Sequence, residues 1–192
     1  MSAGDLLDRI LNHPGSWTEE DYFALGVTAF RIELFTGGLL VSPAPAPPHQ
    51  DISHRLAAAV LPDARSAGLR ARQAVAVRLA ENRVVIPDFV VSRGARVTTV
   101  VEAADVVLLG EINSRGTGPA GQALREHYFA AAEVEFFLVV EPDPASFESL
   151  RLRLLRLERE AYVEHAVAEH GETLTADEPF PLSISTTELL DF

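Results

Sequence analysis

The chain has 192 residues, no cysteine and a formal net charge of −12, and all 16 of its basic residues are arginine. Without cysteine there is no disulfide, no thiolate metal site and no thiol nucleophile. Without lysine no mechanism can rest on an ammonium proton, and arginine, whose pKa stays above about 12, does not replace it as a proton donor. A protein whose main work is gripping phosphate backbones is usually basic, so contact with a polyanion here has to rest on a local arginine patch.

A hydrophobic fraction of 47% with 23% charged residues is that of an ordinary folded protein, and the length fits one domain with a sizeable core. No apolar run approaches the roughly 18 residues of a transmembrane helix. Residues 1–12 carry Asp5, Asp8 and Arg9 and lack the apolar stretch of a signal peptide, so a cytoplasmic location is expected.

In chain order, residues 1–12 form a short amphipathic segment with Leu6, Leu7, Ile10 and Leu11 at helical spacing, ended by His13-Pro14-Gly15-Ser16. Thr18 is placed to cap a helix whose first turn is acidic (Glu19, Glu20, Asp21) and which ends near Ala24 or Leu25. Residues 30–35 alternate apolar and polar as a half-buried strand does, and residues 39–42 return after Thr36-Gly37-Gly38 as a hairpin. Four prolines in residues 43–48 predict an extended loop. Residues 49–60 follow as a helix with the stripe Ile52, Leu56, Val60, and 61–68 as a connector.

Residues 69–79 read as one strand, 81–83 as a tight turn, 84–91 as the next strand and 92–98 as a loop. Residues 103–112 read as a strand and 114–118 as a turn with two glycines. Residues 119–132 read as a helix with Pro119 in its first turn and Leu124, Tyr128 and Ala131 or Ala132 on its buried side. The unbroken apolar run 134–140 is a central strand. Residues 147–159 and 161–169 read as strands, the second open to a helical reading. A turn-rich return over 171–181 and a terminal helix over 186–192, capped by Ser185 or Thr186, complete the chain. This order predicts a mixed α/β sheet flanked by a few helices.

Two acids stand out. Asp88 follows Val84-Val85-Ile86, and Glu111 follows Val106-Val107-Leu108-Leu109. An acid at the end of a buried strand is costly unless it is paired or holds a cation. Two such acids on neighbouring strands make a hard oxygen site suited to Mg²⁺ or Mn²⁺, whereas separate strand-end acids would cap loops or pair with arginines. There is no phosphate-binding glycine loop, nucleophile elbow or zinc-binding H-E-x-x-H.

Several stretches, in order, resemble the Uma-two family of the PD-(D/E)XK, restriction-endonuclease-like superfamily. Trp17-Thr18-Glu19-Glu20-Asp21-Tyr22 resembles its opening helix, and residues 31–38 its "YELIDGE" hairpin. Ser42-Pro43 through His49-Gln50 resembles "SP…H", Pro87-Asp88 the metal-binding "PD", and Glu111-Ile112-Asn113-Ser114 "EVxS". Residues 130–142 resemble "AGVpEYWlVDP". The resemblance implies a Mg²⁺-dependent (or Mn²⁺-dependent) phosphodiesterase acting on DNA, with Asp88 and Glu111 as metal ligands and Glu33 as an additional ligand or water-orienting carboxylate. His49 is expected either to touch the cleft or to serve its helix, the latter being the first reading of a lone histidine.

The departures fall mostly on one helix and its exit. The superfamily's basic residue near the metal, often lysine, corresponds here to Arg125, and the position two after Glu111 holds Asn113. Arg125 supplies fixed charge and a bidentate grip on phosphate without acid or base chemistry. Taken alone, it would be an exposed helix residue paired with an acid such as Glu126. Phe129 stands where the family has tyrosine and Gly121 where an acid is expected. Two readings follow: an endonuclease whose cation is arginine, or an inactive nuclease-fold binding or assembly module. The apolar 134–140 strand belongs to the core, and an exposed edge of it would suit a homodimer.

Overall fold

The computed structural model describes residues 3–28, 30–94, 98–113 and 118–192. Helices α1 (Ala3–Leu11) and α2 (Glu19–Phe23) lead to the hairpin β1 (Arg31–Phe35) and β2 (Gly38–Ser42), then to the long helix α3 (Pro47–Ser66). Strands β3 (Arg70–Gln73), β4 (Val77–Ala80), β5 (Arg83–Val85), β6 (Phe89–Ser92), β7 (Val101–Glu102) and β8 (Val106–Ile112) follow. Helix α4 (Pro119–Ala131) crosses over to β9 (Phe136–Pro142). The hairpins β10 (Leu150–Glu158) with β11 (Ala161–Ala168), and β12 (Thr173–Ala176) with β13 (Leu182–Ser185), end the chain. The fold is mixed α/β, with a mixed central sheet flanked by helices.

The central sheet has the order β11-β10-β9-β8-β6-β3, with β8 and β9 parallel and the other neighbours antiparallel. Every residue of β8 is buried, as a strand covered on both faces requires. One face packs on the α3 stripe Ile52, Leu56, Val60 and Ala64. The opposite face, with Val90, Leu109, Phe137 and Val139, packs on Phe129 of α4 and on Val77 and Val85 of a second sheet. That second sheet has the order β2-β1-β5-β4-β7.

The two sheets are joined because two expected strands are each broken in the middle. The 69–79 segment divides into β3 in the central sheet and β4 in the second, turning at Ala74, whose φ is +48°. The 84–91 segment divides in the opposite sense into β5 and β6, with Ile86-Pro87-Asp88 between them. Proline has no N–H to give to a ladder, so pairing ends where it stands. Alternation carries on through the first break and apolar residues flank the second on both sides, so sequence pattern alone does not show where the chain changes sheet. The consequence is functional: Asp88 sits where the chain crosses from one sheet to the other.

Other differences have equally local causes. Helix α3 begins inside the expected proline loop, since Pro47 and Pro48 occupy its first turn. It runs on through Pro62 because Ala64 continues the buried stripe one turn further. The 103–112 strand opens with a 3₁₀ turn at Ala103–Asp105. Residues 161–168 are a strand, the expected 171–181 return contains β12 and leads into its partner β13 at Leu182–Ser185, and the terminal helix is only a 3₁₀ turn, Glu188–Leu190. Residues 114–117 of the expected glycine turn and 95–97 of the 92–98 loop lie outside the described residues.

The buried side of α4 is rotated from expectation. Leu124 is exposed and Tyr128 only half-buried, whereas Phe129 is fully enclosed against Phe137. Arg125, one turn before Phe129, thereby points to the same side as the sheet. Phe129→Ala should cost about 3–5 kcal/mol in urea unfolding and Leu124→Ala no more than about 0.5 kcal/mol. Equal losses would mean that this orientation of α4 is wrong.

Candidate active site

Three strands and two helices deliver the site. In the β6–β8 ladder Phe89 pairs with Gly110, so one step further Asp88 lies opposite Glu111. The approach is close at Gly110: a Cβ there would stand 3.1 Å from that of Phe89. Alternation along β8 sends Glu111 to the face shared with Leu109, which is the face that α4 and the second sheet cover. From that second sheet β1 presents Arg31 and Glu33 on one face, while Ile32 and Leu34 pack among Leu6, Trp17 and Tyr22 on the other. Helix α3 adds His49 from its first turn, and α4 adds Arg125.

These side chains meet. Asp88 Oδ2 accepts from the Ile112 amide at 2.8 Å and lies 3.2 Å from His49 Nε2. Asp88 Oδ1 accepts from Arg31 Nη1 at 2.7 Å. Arg31 Nη2 reaches Glu111 Oε2 at 3.5 Å and stands 3.8 Å from Glu33 Oε1. Glu33 has no exposed surface; it accepts from the Ile86 amide at 2.7 Å and is gripped by Arg125 through two bonds of 2.9 and 2.6 Å. Arg125 Nη1 also lies 3.4 Å from Glu111 Oε1.

The two strand-end acids, only 7% and 9% exposed, are driven apart in proton affinity. Burial, then the Asp88 charge, pushes Glu111 up to about 8, against the pull of Arg125 and Arg31. Burial also works to raise Asp88, but the His49 contact, the Arg31 charge and the Ile112 amide outweigh it and hold it below the usual carboxylate range. For both arginines burial opposes the charge. The surrounding acids, Glu111 foremost, more than compensate, so each guanidinium is held more firmly protonated than in water. A pair of carboxyls with opposed proton affinities is a common feature of catalytic clefts.

Asp88, Glu111, Glu33 and Arg125, chosen from sequence, are thus brought to one place. His49 joins them through Asp88 and does not cap its helix, whose N-cap is Ala46. Arg125 bonds Glu33, while Glu126 takes Gln122 instead. Sequence reasoning missed Arg31. The signal was present: in the alternating run from Phe30 to Phe35, Arg31 and Glu33 share the polar face.

Whether a divalent ion suits this cluster turns on its oxygens. The carboxylates are hard donors of the kind Mg²⁺ and Mn²⁺ prefer. Glu111 Oε1 is enclosed and accepts no hydrogen bond, Arg125 Nη1 standing off at 3.4 Å, and Asn113 Oδ1, just past the end of β8, likewise accepts none. Enclosed acceptors without donors are costly to maintain and fit a site that takes a cation. Among the described residues, however, no three acidic or histidine side chains stand arranged to hold an ion, and the Arg31 guanidinium is in contact with Asp88, Glu111 and Glu33. The donors match in kind, with an internal cation in their midst.

The family model Uma2, described as "Putative restriction endonuclease", matches residues 19–189. The chain belongs to the Uma2 family. A crystal structure of a putative nuclease belonging to DUF820 from Anabaena variabilis is similar, with a TM-score of 0.70 at 15% identity, covering 91% of this chain and 97% of that one. At that identity the likeness establishes a shared fold. No curated protein matches significantly. In this Uma2 chain, among the described residues, no helix is long and apolar enough to cross a membrane.

The Glu33–Arg125 pair is open to measurement. Removing one member of a buried ion pair leaves the other uncompensated, at a cost of about 3–5 kcal/mol. Glu33→Gln and Arg125→Met should each lose about 3 kcal/mol, and the double variant about 2 kcal/mol less than their sum. Additive losses in chemical denaturation would show that the two side chains do not act as a pair.

Proposed function

We propose that this protein is a divalent-metal-dependent endonuclease that hydrolyses DNA phosphodiester bonds, with Asp88 and Glu111 holding Mg²⁺ or Mn²⁺. The observation that carries the reading is the meeting of Asp88, just before β6, and Glu111 of the neighbouring β8 with Glu33 and two arginines in one buried cluster. Membership of a family described as restriction endonucleases supports it.

A metal bound there supplies Lewis acidity and lowers the pKa of a coordinated water. The rest belongs to the chain. The Ile112 amide and His49 fix the Asp88 carboxylate in direction and keep it anionic. Glu33, through its two bonds, sets the plane of the Arg125 guanidinium beside Glu111. So fixed, Arg125 provides positive charge for phosphate oxygens without moving a proton. In a chain of net charge −12, that local charge is what an anionic substrate would meet.

The specific observation favouring the second reading, an inactive nuclease-fold binding module, is that Arg31 already neutralises the acids and Asn113 stands where the superfamily keeps lysine. Nicking of supercoiled plasmid with Mg²⁺ or Mn²⁺ separates the two. The nuclease reading expects cleavage that falls on the order of 100-fold or more in Asp88→Asn and Glu111→Gln. Cleavage equal in wild type and Asp88→Asn, or none with either metal, contradicts it. In the second case an Asp88→Ala, Glu111→Ala variant that remains folded would favour the binding module.

A further inference from the structure

The two arginines in the cleft are held very differently. Arg125 makes two short, parallel bonds to the fully enclosed Glu33. Arg31 makes one short bond, to Asp88, while its other contacts stretch to 3.5 and 3.8 Å. Its Nε is enclosed and donates to nothing. Its side chain is 23% exposed, so it has a way out to solvent. Arg125 is a fixture; Arg31 is seated by charge more than by geometry.

A guanidinium and a divalent ion answer the same problem, that of enclosed carboxylates needing positive charge. Both would have to lie between Asp88 and Glu111. We infer that Arg31 is a resident counter-ion of this cleft: it holds the acids together in the metal-free protein and must leave its seat for a divalent ion to enter, so that it sets the metal affinity. This rests on the metal-site reading above and adds a competitor to it. The apparent dissociation constant of a ligand whose site is mostly blocked rises in inverse proportion to the open fraction. A seat filled about nine-tenths of the time weakens binding about tenfold.

The test is Mn²⁺ titration by calorimetry of wild type, Arg31→Met, Arg31→Lys and Asp88→Asn. Competition predicts that Arg31→Met binds about tenfold or more tightly than wild type. Arg31→Lys should also bind more tightly, since a lysine keeps the charge but cannot bridge two carboxylates as a fork. Binding by either variant that is no tighter than in wild type, with Asp88→Asn abolishing it, overturns the inference and leaves the metal site standing. No Mn²⁺ binding in wild type or either Arg31 variant removes both. Should the Arg31 variants fail to fold, the wild type suffices: the Nε–Hε resonance of Arg31 in nitrogen-15-labelled protein must shift or broaden as Mg²⁺ reaches saturation. A resonance unchanged at saturating Mg²⁺ overturns the inference.

Discussion

The structure depends on keeping three carboxyl groups and two guanidiniums in one enclosed space. Glu33, Asp88 and Glu111 could not remain together there without Arg31 and Arg125, because an unpaired buried charge costs more than any single contact in the fold returns. Each acid except Glu111 also accepts a backbone amide, Ile86 for Glu33 and Ile112 for Asp88. Those amides come from the ends of β5 and β8, so the charge cluster and the strand ends fix one another.

That constraint explains why two strands break. If residues 84–91 formed one straight strand, Asp88 would be a mid-strand residue in a single sheet and could not face β1 from one sheet and β8 from the other. The proline at 87 ends the β5 pairing, and Asp88 falls in the gap. The opposite turn at Ala74 returns the neighbouring chain to match, and the Ala74 amide donates to the Asp88 carbonyl. Both crossings pass the cleft, so the site lies where the two sheets are sewn together.

Much of this was legible in the sequence. Asp88 and Glu111 stood out as acids at the ends of apolar runs, and the order of motifs gave the family, which in turn pointed to Glu33 and Arg125. The strand breaks were hidden because residues 69–79 alternate without interruption and 84–91 are apolar on both sides of Pro87-Asp88, and only tertiary pairing decides which sheet each half joins. The face of α4 was misjudged because Leu124 and Phe129 are both apolar and only contact with Phe137 chooses between them. Arg31 was overlooked for a different reason: a basic residue on an edge hairpin reads as solvated until the acids it must neutralise are seen around it. The start of α3 was misplaced because proline both breaks helices and begins them.

The central claim, proposed above, is that this cluster is a cation site in which guanidinium and metal exchange. Crystals grown without metal and soaked in Mn²⁺ would test it most directly, through the anomalous signal of manganese. The account predicts a manganese peak beside Asp88 and Glu111, with Arg31 withdrawn from its seat. Saturating Mn²⁺ that leaves no peak there, and Arg31 still bonded to Asp88, would contradict it.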